Sequence, residues 1–110
     1  MSNKVFYSSR FINKAKDLKK KHTSLQTDLE ALEESLIENP KQGNNLGGGL
    51  YKVRLSVKSK GKGKSGGYRI ITYLVTESEE SIIINMLTLY DKSEESSINK
   101  QSLLKFIKDL

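Results

Sequence analysis

Leu50-Tyr51-Lys52-Val53-Arg54-Leu55-Ser56-Val57-Lys58 alternates residue by residue: Tyr51, Val53, Leu55 and Val57 fall on one side of an extended chain, and Lys52, Arg54, Ser56 and Lys58 fall on the other. A period of two is the signature of a half-buried β-strand. The polar side of such a strand normally carries neutral residues, and here it carries cations. The segment therefore predicts a sheet with one apolar face for a core and one cationic face for something else.

The neighbouring sequence extends that sheet. A glycine- and asparagine-rich stretch, Gly43 to Gly49, reads as a loop leading into the strand, and the lysine–glycine run Lys58 to Gly67 reads as the loop leaving it. Tyr68 to Val75 is rich in β-branched and aromatic residues, and Ser81 to Leu89 follows a polar turn at Glu77-Ser78-Glu79-Glu80. An antiparallel meander is the simplest topology for these runs. Upstream, Val5 and Tyr7 alternate with Phe6 and Ser8 as a short strand. Ser8 or Ser9 then caps a helix carrying Phe11, Ile12, Ala15 and Leu18 to about Lys20. Thr23 and Gln26 have capping-box spacing before a helix whose stripe is Leu25, Leu29, Leu32 and Leu36, stopped by Asn39-Pro40. Leu103, Leu104, Ile107 and Leu110 recur at helical spacing near the end. The expected fold is α+β: two N-terminal helices packed on a small antiparallel sheet, with a C-terminal helix, in one domain spanning 1–110.

Charge is distributed unevenly. The interval between Glu38 and Glu77 contains no acid and eight basic residues, Lys41, Lys52, Arg54, Lys58, Lys60, Lys62, Lys64 and Arg69, a local charge of +8 in a chain whose total is +6. A field concentrated in one region attracts a polyanion far better than the same charge dispersed, so nucleic acid is the leading ligand class. With no cysteine and a single histidine, His22, the chain has no disulfide, thiolate or zinc chemistry to offer, and no metal or cofactor is expected. His22 lies in the helix connection, away from the cationic strands, and reads as a surface residue. The longest apolar runs, such as Ile82-Ile83-Ile84, are too short to span a membrane, and Met1-Ser2-Asn3-Lys4 lacks a signal peptide's apolar stretch, so the expected location is the cytoplasm.

Two phosphate motifs are imitated and fail. Gly61, Gly63 and Gly66 spell G-x-G-x-x-G, and Gly63-Lys64-Ser65 imitates the end of a P-loop, yet both motifs need a helix N-terminus aimed at the phosphate, and a strand follows here. What remains is four lysines at alternate positions, Lys58, Lys60, Lys62 and Lys64, interleaved with glycines that let a backbone approach closely. These lysines, with Tyr68 as a stacking platform, are the expected RNA-binding residues. Tyr51, Tyr68 and Tyr73 read as core before they read as stacking platforms, whereas Tyr90, close to Lys92, is placed for a site.

The blocks Gly48-Gly49-Leu50-Tyr51-Lys52-Val53-Arg54, the lysine–glycine run ending in Gly67-Tyr68-Arg69-Ile70-Ile71, and Leu87-Thr88-Leu89-Tyr90-Asp91-Lys92-Ser93 together resemble the RelE/ParE superfamily of bacterial toxins, on the RelE side and closest to the HigB-type branch. With the flanking helices in the same order, the likeness covers nearly the whole chain. It implies the toxin of a type II toxin–antitoxin pair. RelE-like members cut messenger RNA in the ribosomal A site, and ParE-like members inhibit DNA gyrase without catalysis. Carried over by position, the resemblance implies catalytic roles for Lys52, Arg54 and Arg69. Lys92 stands where RelE proper has a second arginine, and Ile98 stands near its C-terminal catalytic tyrosine. Tyr90 or a lysine would then have to move the proton.

Such a site needs no metal, because the RNA's own 2′-hydroxyl is the nucleophile. The expectation is a metal-independent, ribosome-dependent endoribonuclease whose partners are the ribosome, messenger RNA and a cognate antitoxin. A noncatalytic gyrase inhibitor and a plain RNA-binding module are the alternatives.

Overall fold

A computed structural model describes residues 3–58, 67–91 and 98–110. The described elements run β1 (Lys4–Tyr7), α1 (Ser9–Lys21), α2 (Leu25–Glu38), β2 (Asn44–Gly47), β3 (Leu50–Leu55), β4 (Tyr68–Ser78), β5 (Ser81–Asp91) and α3 (Lys100–Lys108). The fold is α+β, as the sequence predicts. The sheet has five strands in the order β1-β5-β4-β3-β2.

The sheet is mixed, which corrects the antiparallel expectation. β1 pairs parallel with β5, Val5 opposite Ile84 and Tyr7 opposite Met86. A hairpin forces its strands antiparallel, whereas β1 is followed by two helices, and a long connection leaves the direction of its strand free. Ser8 secures that edge. Its backbone N–H donates to the Met86 carbonyl (3.1 Å), its hydroxyl donates to the Leu87 carbonyl (2.7 Å), and the same hydroxyl oxygen accepts from the Phe11 N–H (3.0 Å) to cap α1.

The expected loop Gly43 to Gly49 contains a short edge strand, β2, paired antiparallel with β3. Gly48 and Gly49 turn the chain between them with φ of 63° and 87°, a left-handed pair that matches the twist of a tight hairpin and that other residues rarely adopt. The expected capping box at Thr23 also gives way. The helix cap is Ser24, whose hydroxyl donates to Asp28 Oδ2 (2.8 Å) instead of accepting from the backbone. Asp28 is buried and also receives the Lys58 N–H (3.1 Å), so it draws the hydroxyl toward itself.

Both faces of the sheet are covered. Phe11 and Ala15 of α1 and Leu25, Leu29, Leu32 and Leu36 of α2 pack over Val53, Leu55, Val57, Ile70, Ile84, Met86 and Leu89. On the other face Leu103 of α3 packs with Leu50, Ile71, Leu87 and Tyr90, with Phe106 and Ile107 alongside. A bulge between Ile71 and Thr72 leaves Leu87 as an extra residue of β5, and Leu87 joins the α3 side. On α3, Leu103 is the buried anchor, whereas Leu104, and Leu110 just past the helix, are half-exposed.

Candidate functional site

The cationic positions of β3 meet Arg69 of β4, and through it Tyr90 of β5, by strand register. Arg54 lies directly opposite Arg69, and Arg69 directly opposite Tyr90. Residues opposite one another share a face at Cα separations of about 4.5–5.5 Å. Lys52, two residues before Arg54, belongs to the same face, opposite Ile71 and in line with Thr88. This is also the face on which α3 sits, so the site is a cationic row bordered by an apolar cluster.

The members of the row differ in burial. Arg54 is exposed and Lys52 half-buried, whereas Arg69 is only 5% exposed and Tyr90 3%. A guanidinium withdrawn from water must be partnered, and Arg69 and Tyr90 are both engaged with neighbouring groups. Two arginines opposite each other repel, a cost that an anion bound between them would offset. Arg69 is thus a held, preorganised charge and Arg54 an adjustable one.

Lys58 is exposed, with its backbone fixed by Asp28. At Gly67, a Cβ would lie 1.9 Å from the Leu55 carbonyl oxygen, so only glycine passes there. The chain is therefore fixed on both sides of residues 59–66. Lys60, Lys62, Lys64 and Lys92 lie outside the described residues.

Tyr68 does not belong to the site, which corrects its expected role as a base-stacking platform. Alternation turns it away from Arg69. It is fully buried under α1 and α2, its ring edge-on to His22 with centroids 5.8 Å apart. A base has no access to it. His22 is accordingly more than a surface residue: it is half-buried against Tyr68 and ends α1.

Sequence reasoning missed Thr88. It is 1% exposed, in line with Ile71 and Lys52, and its hydroxyl has no hydrogen-bond partner among the described residues. Nothing in an apolar run such as Met86 to Leu89 distinguishes one threonine before the register is known.

Tyr7 is perturbed but lies away from this row. Its hydroxyl donates to Glu33 Oε1 (2.5 Å) in a groove of about 460 Å³ between α1 and α2, and burial, reinforced by Glu33, raises its pKa well above the usual tyrosine value. It stays protonated at neutral pH and serves structure. Among the described residues no group of three His, Cys, Asp or Glu side chains is placed to hold a metal ion. No described helix is long and apolar enough to cross a membrane.

The described fold is a small α+β domain with Lys52, Arg54 and Arg69 on one face of its sheet. Residues 3–109 match the family described as the RelE toxin of the RelE/RelB toxin–antitoxin system, and the chain belongs to that family. Its role is that of a toxin with a cognate antitoxin. The match is to the family as a whole, and the likeness to the HigB-type branch rests on the lysine–glycine run alone.

Proposed function

We propose that the protein is a metal-independent endoribonuclease that cuts messenger RNA in the ribosomal A site in the cytoplasm. The observation that carries this reading is the Arg54–Arg69–Tyr90 row with Lys52 beside it. In the reaction, the 2′-oxygen forms a bond to the adjacent phosphorus and the bond from phosphorus to the 5′-oxygen breaks. The products are a 2′,3′-cyclic phosphate and a 5′-hydroxyl. One proton leaves the 2′-hydroxyl and one reaches the departing oxygen.

On this reading Arg69 and Arg54 take the charge that builds on the phosphorane-like transition state. By analogy with an oxyanion donor, each such contact contributes about 3 kcal/mol. Lys52 is the described group of the row open enough for proton transfer, Tyr90 being buried and already engaged, and Lys92 is a further one by position in the sequence. Lys58 and the lysines at 60, 62 and 64 bind backbone phosphates, and the ribosome aligns the message for in-line attack.

The test is cell-free translation with purified protein followed by primer extension on the message. Cuts that appear only when ribosomes are present support the reading. Intact message with blocked gyrase supercoiling replaces it with the noncatalytic inhibitor.

A further inference from the structure

Outside the Glu38–Glu77 interval the chain carries eleven basic and thirteen acidic residues, a near balance that hides a separation between the two N-terminal helices. α1 holds Arg10, Lys14, Lys16, Lys19, Lys20 and Lys21 against the single acid Asp17, a net +5. α2 holds Asp28, Glu30, Glu33, Glu34 and Glu38 and no basic residue, a net −5. All six α1 cations are exposed except Lys14, which is half-buried. Among the described residues none of the six forms an ion pair, although Lys16, Lys19, Glu30 and Glu33 line one groove; Arg10 lies over the Phe106 ring of α3 at 3.8 Å.

Helix stability does not account for this arrangement. The macrodipole favours acids in the first turn and bases in the last. Lys19, Lys20 and Lys21 obey that rule, but the first turn of α1 has no acid and carries Arg10, followed by Lys14 and Lys16. The last turn of α2 has no base and ends in Glu38. Charges that break the local rule on both helices, without neutralising each other, mark a surface arranged for a partner.

We infer that the outer face of α1 docks on the sugar–phosphate backbone of a structured RNA, separate from the strand that meets Arg54 and Arg69. Phe11, Ala15 and Leu18 occupy the buried side of α1, which leaves Lys16, Lys20 and Lys21 pointing to solvent. The exposed face offers only Ile12 as a large apolar contact. Protein interfaces are depleted of lysine and centred on apolar and aromatic anchors, whereas lysine and arginine make the phosphate contacts of nucleic-acid complexes. The acidic α2 repels the same backbone and so fixes which side of the helix pair faces it. This inference rests on the proposed ribosomal reading only for the identity of the RNA, which on that reading is ribosomal.

The experiment measures binding of the purified protein to ribosomes and to a short RNA duplex as salt is varied. It compares wild type, the triple variant Lys16→Gln, Lys20→Gln, Lys21→Gln, and a control triple variant Lys4→Gln, Lys105→Gln, Lys108→Gln. The α1 variant should flatten the log–log salt slope on both probes by roughly one unit for each phosphate no longer neutralised, about two to three in all, with the control changing it by less than about half a unit. Equal flattening by both variants, or none by either, overturns the inference. So does an α1 variant that weakens only antitoxin binding, which would assign the face to an acidic protein. If wild type ignores ribosomes while its duplex binding still depends on α1, the docking face stands and the ribosomal reading falls.

Discussion

Arg54 and Arg69 lie directly opposite each other on β3 and β4, yet one is exposed and the other almost wholly withdrawn from water. The pair separates two effects that are usually mixed. Replacing Arg54 with Ala removes a repulsion and little packing, so stability should hold or rise by up to about 0.5 kcal/mol while cleavage falls roughly 100-fold. Replacing Arg69 with Ala should also cost about 1–3 kcal/mol, because its engaged neighbours lose a buried partner. Thermal melts and cleavage rates on the two variants check both statements. An Arg54→Ala protein that cuts at the wild-type rate removes Arg54 from the site.

Gly67 is a steric requirement that can be tested alone. A Cβ there would meet the Leu55 carbonyl oxygen at 1.9 Å, a backbone atom that cannot give way without moving β3, whereas Gly48 has open space and only its φ of 63° to satisfy. Gly67→Ala should destabilise by several kcal/mol, by the strain of a close clash, and Gly48→Ala by about 1–2 kcal/mol, the cost of a left-handed alanine. Urea melts of both variants rank the two effects, and the reverse order refutes the assignment.

Strand alternation made Lys52, Arg54 and the apolar side of β3 legible in the sequence, because a period of two survives without tertiary information. The leucine stripe of α2 was legible for the same reason at a period of 3.6. Register was not. That Arg69 faces Arg54 and Tyr90, while its neighbour Tyr68 faces His22, depends on pairings between strands distant in the chain. β2 was hidden because its glycines and asparagines signal a turn, and its strand character comes from pairing with β3. The parallel place of β1 was hidden because so short a strand carries no mark of direction.

The Tyr7–Glu33 contact predicts an alkaline weakness. Burial and Glu33 raise the folded-state pKa of Tyr7 above its unfolded value of 10.0, so the stability it contributes is complete below pH 10 and declines as the pH rises from there toward the folded value. Tyr7→Phe should lose about 1 kcal/mol at neutral pH and show a shallower decline in stability above pH 10 than wild type. Parallel melting-temperature curves for the two proteins above that pH would remove Tyr7 as the cause.

Asp28 ties the α2 start to the segment that follows β3. Its Oδ2 accepts from the Ser24 hydroxyl at 2.8 Å and from the Lys58 N–H at 3.1 Å, and the residue is 7% exposed. Alanine at this position would leave a backbone donor without its acceptor in a partly buried place, at a cost of about 1–3 kcal/mol. Asparagine keeps one acceptor oxygen of the same size and should recover more than half of that loss. The two variants also separate stability from positioning, because this bond holds the backbone at Lys58, a residue of the proposed RNA surface. RNA affinity measured well below the melting temperature should fall in Asp28→Ala and return in Asp28→Asn. Equal affinity in all three proteins, with only the melts differing, would confine Asp28 to stability.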